Sequence, residues 1–466
     1  MNFADLRFWE CLAVSLGFAA VVHLVFRRHP ALRDGRFDRV FLLLLGLILL
    51  GMVSWISFVI HFVIAGLTYG IVRWGTARPA SQGYWILVAL VPLQFIPLAW
   101  YKYAGFIVHD LFGRPVSTAT QTLIPAGISF YTFQLVGFAV DTLIRRNLVP
   151  GFFDFFNFAG FFPQIVAGPI ERRDDLLPQI QSFRLKWSAS DIDAGFRWMA
   201  LGLFFKCALA DTLAEHFRRA ATSNAWLIWL ANILFGLRIY YDFAGYSLIA
   251  IGIARCLGIR LSMNFLSPYC STSPAEFWRR WHVTLSHWFR DYLYLPLGGS
   301  RTRLWALNIA LVFLVSGLWH GAGWNFLLWG CLHAALIIIQ RLARSIQISS
   351  PLGWLATLTA VLFSWLLFYE TDSATLSLKL HTLITPSAYG VTAFREIFTV
   401  YGGGDLVALI GILGMSAATL AAEAWSLKKH NQPYACLTTP RALTFLVILT
   451  LLLAPGKNNG FIYFAF

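Results

Sequence analysis

The chain has 466 residues, 58% of them hydrophobic and only 12% charged, with a formal net charge of +14 and a mean hydropathy of +0.65. An ordinary soluble domain carries roughly 25% charged residues, so this composition excludes the soluble classes and predicts an integral membrane protein. The excess positive charge forms no basic stripe on a soluble face; Arg and Lys cluster between apolar runs, as topology signals and headgroup contacts with membrane lipid, and imply no nucleic acid partner.

Apolar segments recur from residue 8 to residue 454 with short interruptions, which predicts one membrane domain over 1–466 rather than several soluble ones. A spanning helix needs about 20 apolar residues, because only a helix or a closed barrel satisfies its backbone in hydrocarbon. The opening "MNFADLRFWE" lacks the basic region of a cleavable signal, so the run at 8–26 is expected to be an uncleaved first span. Further spans are expected near 40–60, 61–73, 84–108 and 122–143. "FFPQIVAGPIER" (161–172) is too short and too rich in proline to cross, and reads as re-entrant or interfacial. Spans then follow near 195–215, 226–253, 304–319, 322–340, 353–370, 405–424 and 441–455, with no internal repeat.

The basic loops "RRHPALRDGR" (27–36), "RLAR" (341–344) and "SLKKH" (426–430) belong on the cytoplasmic side by the positive-inside rule. Both termini and the 371–404 segment then face outward. The Arg-rich block at 279–303 is inside as well, so the chain must leave over 304–319 and return over 322–340. That puts His320, in "SGLWHGAGWN" (316–325), at the turn between two spans, facing a cavity, with glycines that permit a broken backbone.

Ionisable groups inside a membrane are costly and therefore candidates for function. His320, His282 and Asp242 stand out. His320 is either a satisfied core histidine or a chemical group; an imidazole titrating near pH 6.5 can take a proton from a hydroxyl and return it to a thiolate, which suits acyl transfer. His282 and His287, five residues apart, would sit roughly 140° apart on a common helix and would not share a metal. No HExxH pattern and no CxxC pair occurs, so no metal site and no disulfide framework is indicated. "GYSLI" (245–249) lacks the second glycine of a nucleophile elbow, which makes Ser247 a packing residue. Asp242 could pair with a cation, orient a histidine or cap a helix break. Arg279, Arg280, Arg290, Arg301 and Arg303 could grip an anionic donor such as the phosphates of coenzyme A, and read equally as cytoplasmic topology charge. The tail "GFIYFAF" (460–466) is an aromatic belt, with the Tyr463 hydroxyl on the outer side.

"PAGISFYTFQ" (125–134), "FFPQIVAGPIER", "YYDFAGYSLIAIGIARCLGIRLSMNFLSPY" (240–269), "EFWRRWHVTLSHWFRDYLYLPLGG" (276–299), "SGLWHGAGWNFLLWG" and "FIYFAF" together resemble the membrane-bound O-acyltransferases (MBOAT), in particular the bacterial alginate O-acetylase type. The resemblance runs from about residue 100 to the last residue. It implies an all-α fold, a ring of about 11 transmembrane helices around a central tunnel with re-entrant and interfacial segments, in the bacterial inner membrane. The family's WHG histidine maps to His320 and its RRWH histidine to His282; Trp281, Trp319, Asn325, Asp242, Arg279 and Arg280 are candidates for supporting or donor-binding roles.

The activity implied is transfer of acetyl from cytoplasmic acetyl-CoA across the membrane for O-acetylation of an exported polysaccharide, with no permanently bound cofactor. A periplasmic SGNH-type acetyltransferase, or another polysaccharide-modification protein, is the partner implied. By similarity to a small partner in the D-alanylation system, Tyr463 is a candidate acyl relay. Relatives commonly read FSGYSDMAIG where this chain has "FAGYSLIAIG", so Leu248 replaces an acidic residue whose role cannot transfer; His287 likewise replaces a common Ser or Thr. D-alanyl transfer to teichoic acid and a non-catalytic transporter for polysaccharide export are the alternatives.

Overall fold

The computed structural model describes residues 3, 5–26, 29–114, 124–220, 224–346, 349–455 and 460–462. Among them every regular element is helical. The chain divides into two compact units: Met1–Met199 with Ile249–Ser262, and Ala200–Leu248 with Met263–Phe466.

The first unit contains α1 (Leu6–Val25), α2 (Arg36–Val53), α3 (Trp55–Thr76), α4 (Ala80–Leu98, continued through π-helical turns to Leu111), α5 (Ile128–Leu143), α6 (Phe152–Ala159), α7 (Arg173–Gln181) and most of α8 (Ala189–Leu203). The break expected between residues 60 and 61 falls instead at Ser54, which is extended and whose hydroxyl accepts from the Ser57 N–H at 3.1 Å. Uniform hydropathy cannot locate a break within an apolar run, whereas a serine N-cap can end one helix and start the next. Residues 161–170 stay non-helical, as anticipated, and are buried. Two close approaches hold them: a Cβ at Gly46 on α2 would lie 2.9 Å from the Gly160 carbonyl, and one at Gly127 2.5 Å from the Ile165 carbonyl. Gly127 is also left-handed (φ +76°), so both its conformation and its surroundings require glycine. The buried Glu171 then accepts from the backbone N–H (2.5 Å) and the hydroxyl (3.0 Å) of Ser262, and Gln179 pairs with both backbone groups of Arg260.

The second unit begins in the last turn of α8 and continues through a π-helical stretch (Phe204–Ala210) into α9 (Asp211–Ala220). Next come α10 (Ala225–Cys256, whose last turns belong to the first unit), α11 (Pro274–Arg280), α12 (Val283–Phe289), α13 (Trp305–His320), α14 (Trp324–Leu342), α15 (Ser350–Tyr369), α16 (Ser373–Ile384), α17 (Val391–Val400), α18 (Gly404–His430) and α19 (Pro440–Leu453). The 371–404 segment, expected as an external connection, is occupied by α16 and α17, the former capped by the Asp372 carboxylate, which accepts from the Thr375 N–H at 2.7 Å.

Among the described residues, seven helices are long and apolar enough to cross a membrane: α1, α3, α4 with its continuation, α10, α14, α15 and α18. Three shorter apolar helices, α5, α13 and α19, add to them. The chain is a multi-pass helical membrane protein. The anticipated number of about 11 is not confirmed on these criteria among the described residues. α2 carries Arg36, Asp38 and Arg39 in its first turn, which sets it apart from the other long apolar helices.

The α13–α14 hairpin places His320 as the last residue of α13, with Gly321–Gly323 as the turn. Gly321 (φ −164°) and Gly323 (φ −178°) are extended, a conformation open to any residue. Their role is therefore not to break the backbone, as the sequence suggested, but to leave space. A Cβ at Gly321 would collide with the Phe326 ring, one at Gly317 with the Phe326 carbonyl, and one at Gly330 with the Phe313 carbonyl. The glycines let the two helices approach backbone to backbone.

Candidate active site

His282 occupies a chain break rather than a helix face. α11 starts at Pro274, where the Ser273 hydroxyl accepts from the Glu276 N–H at 3.3 Å, and stops at Arg280. Trp281 is extended and buried, its ring 5.5 Å from Phe277 and 5.1 Å from Trp365, so burying the indole turns the chain inward. His282 follows with φ 42°, ψ 54°, a left-handed conformation that costs a non-glycine residue about 1–3 kcal/mol and concentrates at functional sites. His282 and His287 therefore do not share a helix, and the angular separation expected from one does not apply. Two backbone bonds bracket the break: Leu266 N–H to Arg280 O and Val283 N–H to Asn264 O, both 2.9 Å. The His282 ring is fully buried, with Nδ1 3.0 Å from Asn264 Oδ1 and Phe243 edge-on at 4.7 Å. Burial lowers its pKa from 6.5 to about 3, which keeps the imidazole neutral.

His320 is also buried, ringed by Trp319 (4.9 Å), Trp329 (5.1 Å) and Phe368 (5.2 Å). The Trp319 ring also contacts His282 at 5.8 Å. His282 and His320, 38 positions apart in the chain, thus converge on one indole. Asn325 acts at one remove: its amide donates to the carbonyls of Leu367 (3.1 Å) and Phe368 (3.4 Å), fixing the end of α15 that carries Phe368 against His320. Trp281 packs with Trp365 and Tyr240 rather than against His320's indole neighbours.

Asp242 on α10 finds its cation in Lys206, at 2.7 Å; Lys206 also bonds Asp211 at 2.8 Å. The second Asp242 oxygen accepts from the Ile462 N–H at 2.7 Å, and Phe461 packs on Phe243 (5.7 Å) and Tyr246 (4.6 Å). Asp242 therefore seats the 461–462 segment on the helix whose Phe243 touches His282. Tyr463 lies outside the described residues. Lys206 escaped the sequence reading although a lone lysine in "FFKCALA" is the kind of intramembrane charge that marks a partner. Asn264 escaped because an amide gives no signal until its partner is known. Ser247 accepts from Asn264 Nδ2 at 3.3 Å, in keeping with a structural role.

The arginines separate. Arg279 and Arg290 line a cavity of about 610 Å³ together with Arg341, Arg344, Trp278, Phe313, Ser286 and Ser316. Ser316 is one turn before His320 on α13, and Ser286 lies one turn beyond His282 on α12. Arg280 instead pairs with Glu276 at 2.6 Å, and neither Arg301 nor Arg303 lines the cavity. Arg341 also lies 4.2 Å over the Trp305 ring, and Arg290 pairs with Asp291 at 2.7 Å. The arginines of "RLAR", read only as topology charge, therefore face the same space as Arg279. Four guanidinium groups with aromatic walls suit an anion joined to an apolar or planar body.

Helices of membrane-spanning length, two buried histidines meeting at one tryptophan, and a cavity lined by four arginines thus belong to one helical membrane protein. Residues 144–376 match the family model described as MBOAT, membrane-bound O-acyltransferase family, and the chain belongs to that family. It is 36% identical over 310 residues to a probable alginate O-acetylase AlgI of Azotobacter vinelandii, covering 62% of this chain and 61% of the relative. A peptidoglycan O-acetyltransferase of Helicobacter pylori is 30% identical over 333 residues, with 63% of each chain covered. A teichoic acid D-alanyltransferase of Streptococcus thermophilus is 29% identical over 248 residues, covering 49% of this chain and 59% of the relative. The chain thus spans about three fifths of the length of the curated relatives it matches.

Proposed function

We propose that this protein is a membrane O-acetyltransferase of the bacterial inner membrane, with residues 1–466 acting as one catalytic domain. Acetyl passes from cytoplasmic acetyl-CoA toward an exported polysaccharide, through a periplasmic partner of the SGNH type. The observation that carries the reading is the convergence of His282 and His320 on Trp319. The relatives named O-acetylases and O-acetyltransferases support the choice of acetyl.

In this reading the adenine nucleotide of the donor rests among Arg279, Arg290, Arg341 and Arg344, and its thioester lies beside the histidines. An acceptor hydroxyl oxygen attacks the acetyl carbonyl carbon. The hydroxyl proton passes to an imidazole, the carbon–sulfur bond breaks, and the leaving thiolate receives the proton, giving the acetyl ester and free coenzyme A. Positioning within a dry site supplies much of the remaining acceleration. Tyr463, next to the seated Ile462, is the proposed relay that carries acetyl outward.

The test uses membrane vesicles supplied with labelled acetyl-CoA. His320→Ala should lower label transfer by at least about 10²-fold at unchanged protein level; undiminished transfer refutes the reading. D-alanyl transfer has the support of the teichoic acid relatives, and is favoured if labelled D-alanine on a carrier protein is consumed while acetyl-CoA is not. A transporter would consume neither thioester.

A further inference from the structure

We propose that Asn264 is a positioning residue that fixes the tautomer of His282, with the proton on Nδ1 and the basic lone pair on Nε2. The proposal rests on the acyl-transfer reading only for its consequence, not for its geometry. Asn264 Oδ1 lies 3.0 Å from His282 Nδ1, 3.0 Å from Thr284 Oγ1 and 3.4 Å from the Thr284 backbone nitrogen. A backbone N–H can only donate, so the atom facing Thr284 is the amide oxygen; the reversed amide would set its NH₂ against that N–H. An amide oxygen can only accept. The His282 nitrogen opposite it must therefore carry hydrogen, and a neutral imidazole has a single N–H.

The amide is itself held in this sense from both sides. Its nitrogen faces Ser247 Oγ on α10 at 3.3 Å, and the backbone bond from Val283 N–H to Asn264 O keeps the two segments in register at 2.9 Å.

A second buried histidine of the same unit makes the opposite choice. The Trp278 indole N–H, which can only donate, points at His333 Nδ1 at 3.3 Å. His333 therefore carries its proton on Nε2, toward Ser364 Oγ at 3.1 Å, and the Ser364 hydroxyl donates onward to Val361 O at 2.7 Å. Both His333 nitrogens are engaged in tying α11, α14 and α15 together, so the two imidazoles are set for different tasks.

The consequence for acyl transfer is a direction for the proton. The acceptor O–H bond breaks and its proton goes to His282 Nε2 while the oxygen bonds the acetyl carbon. The carbon–sulfur bond then breaks and the thiolate takes the proton from Nε2. Nδ1–H stays on Asn264 throughout and the ring ends neutral. Other titratable groups on the packed elements are His320 on α13, Asp242 with its Lys206 counter-ion and Tyr246 on α10, Tyr269 beyond Asn264, and His287 on α12.

The experiment is solid-state ¹⁵N NMR of the full chain, labelled at histidine and reconstituted in lipid, together with thiol release from acetyl-CoA. The wild type should contain a δ-protonated imidazole whose signals vanish in His282→Gln. Asn264→Leu should convert that signal toward the ε-protonated form and lower turnover by about 10²-fold with little change in KM. Asn264→Asp should keep the tautomer and most of the turnover. An ε-protonated His282 in the wild type, or an unchanged signal in Asn264→Leu, overturns the proposal. Full turnover in His282→Gln alongside the expected spectra would instead overturn the acyl-transfer role of His282 and leave its tautomer standing.

Discussion

Replacing Gly317 by alanine tests whether the α13–α14 hairpin is set by backbone contact. The added Cβ would lie 3.1 Å from the Phe326 carbonyl carbon and nearer still to its oxygen, both backbone atoms that no rotamer change can move. Restoring an ordinary contact of 3.4 Å or more requires α14 to withdraw by about 1 Å. Overpacking of this kind costs about 1–3 kcal/mol. Gly317 also accepts, through its carbonyl, the Gly321 N–H that closes α13 just after His320. The withdrawal therefore shifts Trp329 and His320 relative to each other, and with His320 in its proposed catalytic role a misplacement of about 1 Å costs about 10²-fold in rate. Thermal unfolding in detergent and thiol release from acetyl-CoA measure the two effects. The controls are Gly411→Ala and Gly414→Ala on α18, where a Cβ meets nothing within 4 Å; these should be neutral or stabilising by up to about 1 kcal/mol. Wild-type stability and turnover in Gly317→Ala would refute the packing account of the hairpin.

Two further outcomes concern buried charge. Burial pushes Glu171 from 4.5 up to about 7. With its folded value above its unfolded one, its contribution to stability is complete below about pH 4.5 and is lost as pH rises to about 7, a change of about 3 kcal/mol. The unfolding midpoint should fall over that window and Glu171→Gln should flatten the fall; an equal slope in both proteins contradicts the assignment. Lys206→Met removes the cation bonded to both Asp211 and Asp242, leaving them only the more distant charge of Arg238, and should cost about 3–5 kcal/mol. Adding Asp211→Asn and Asp242→Asn should restore most of the loss, so a triple variant no more stable than Lys206→Met would show that the pairing is not the source.

Much of this molecule is legible in one dimension. Hydropathy is summed along the chain and the bilayer imposes a length on each crossing, so the spans, the irregular 161–170 segment and the turn at His320 follow from local composition. His320 and His282 were visible for a related reason: a lone imidazole among tryptophans is conspicuous against an apolar background. The Ser54 break and the helices within 371–404 were missed, since uniform hydropathy conceals the first and moderate polarity the second.

Sequence by itself therefore determined the class of protein, the family resemblance and the two histidines. Tertiary structure decided what those residues touch: the left-handed break at His282, the Asn264 amide that selects its nitrogen, the Lys206 that neutralises Asp242, and the division of Arg279 from Arg280. The physical reason is that a hydrogen bond or ion pair depends on direction and on partners remote in the chain, as Asp242 and Ile462, 220 residues apart, illustrate. Burial in hydrocarbon can be read one residue at a time, but satisfaction of a buried polar atom exists only when two segments meet.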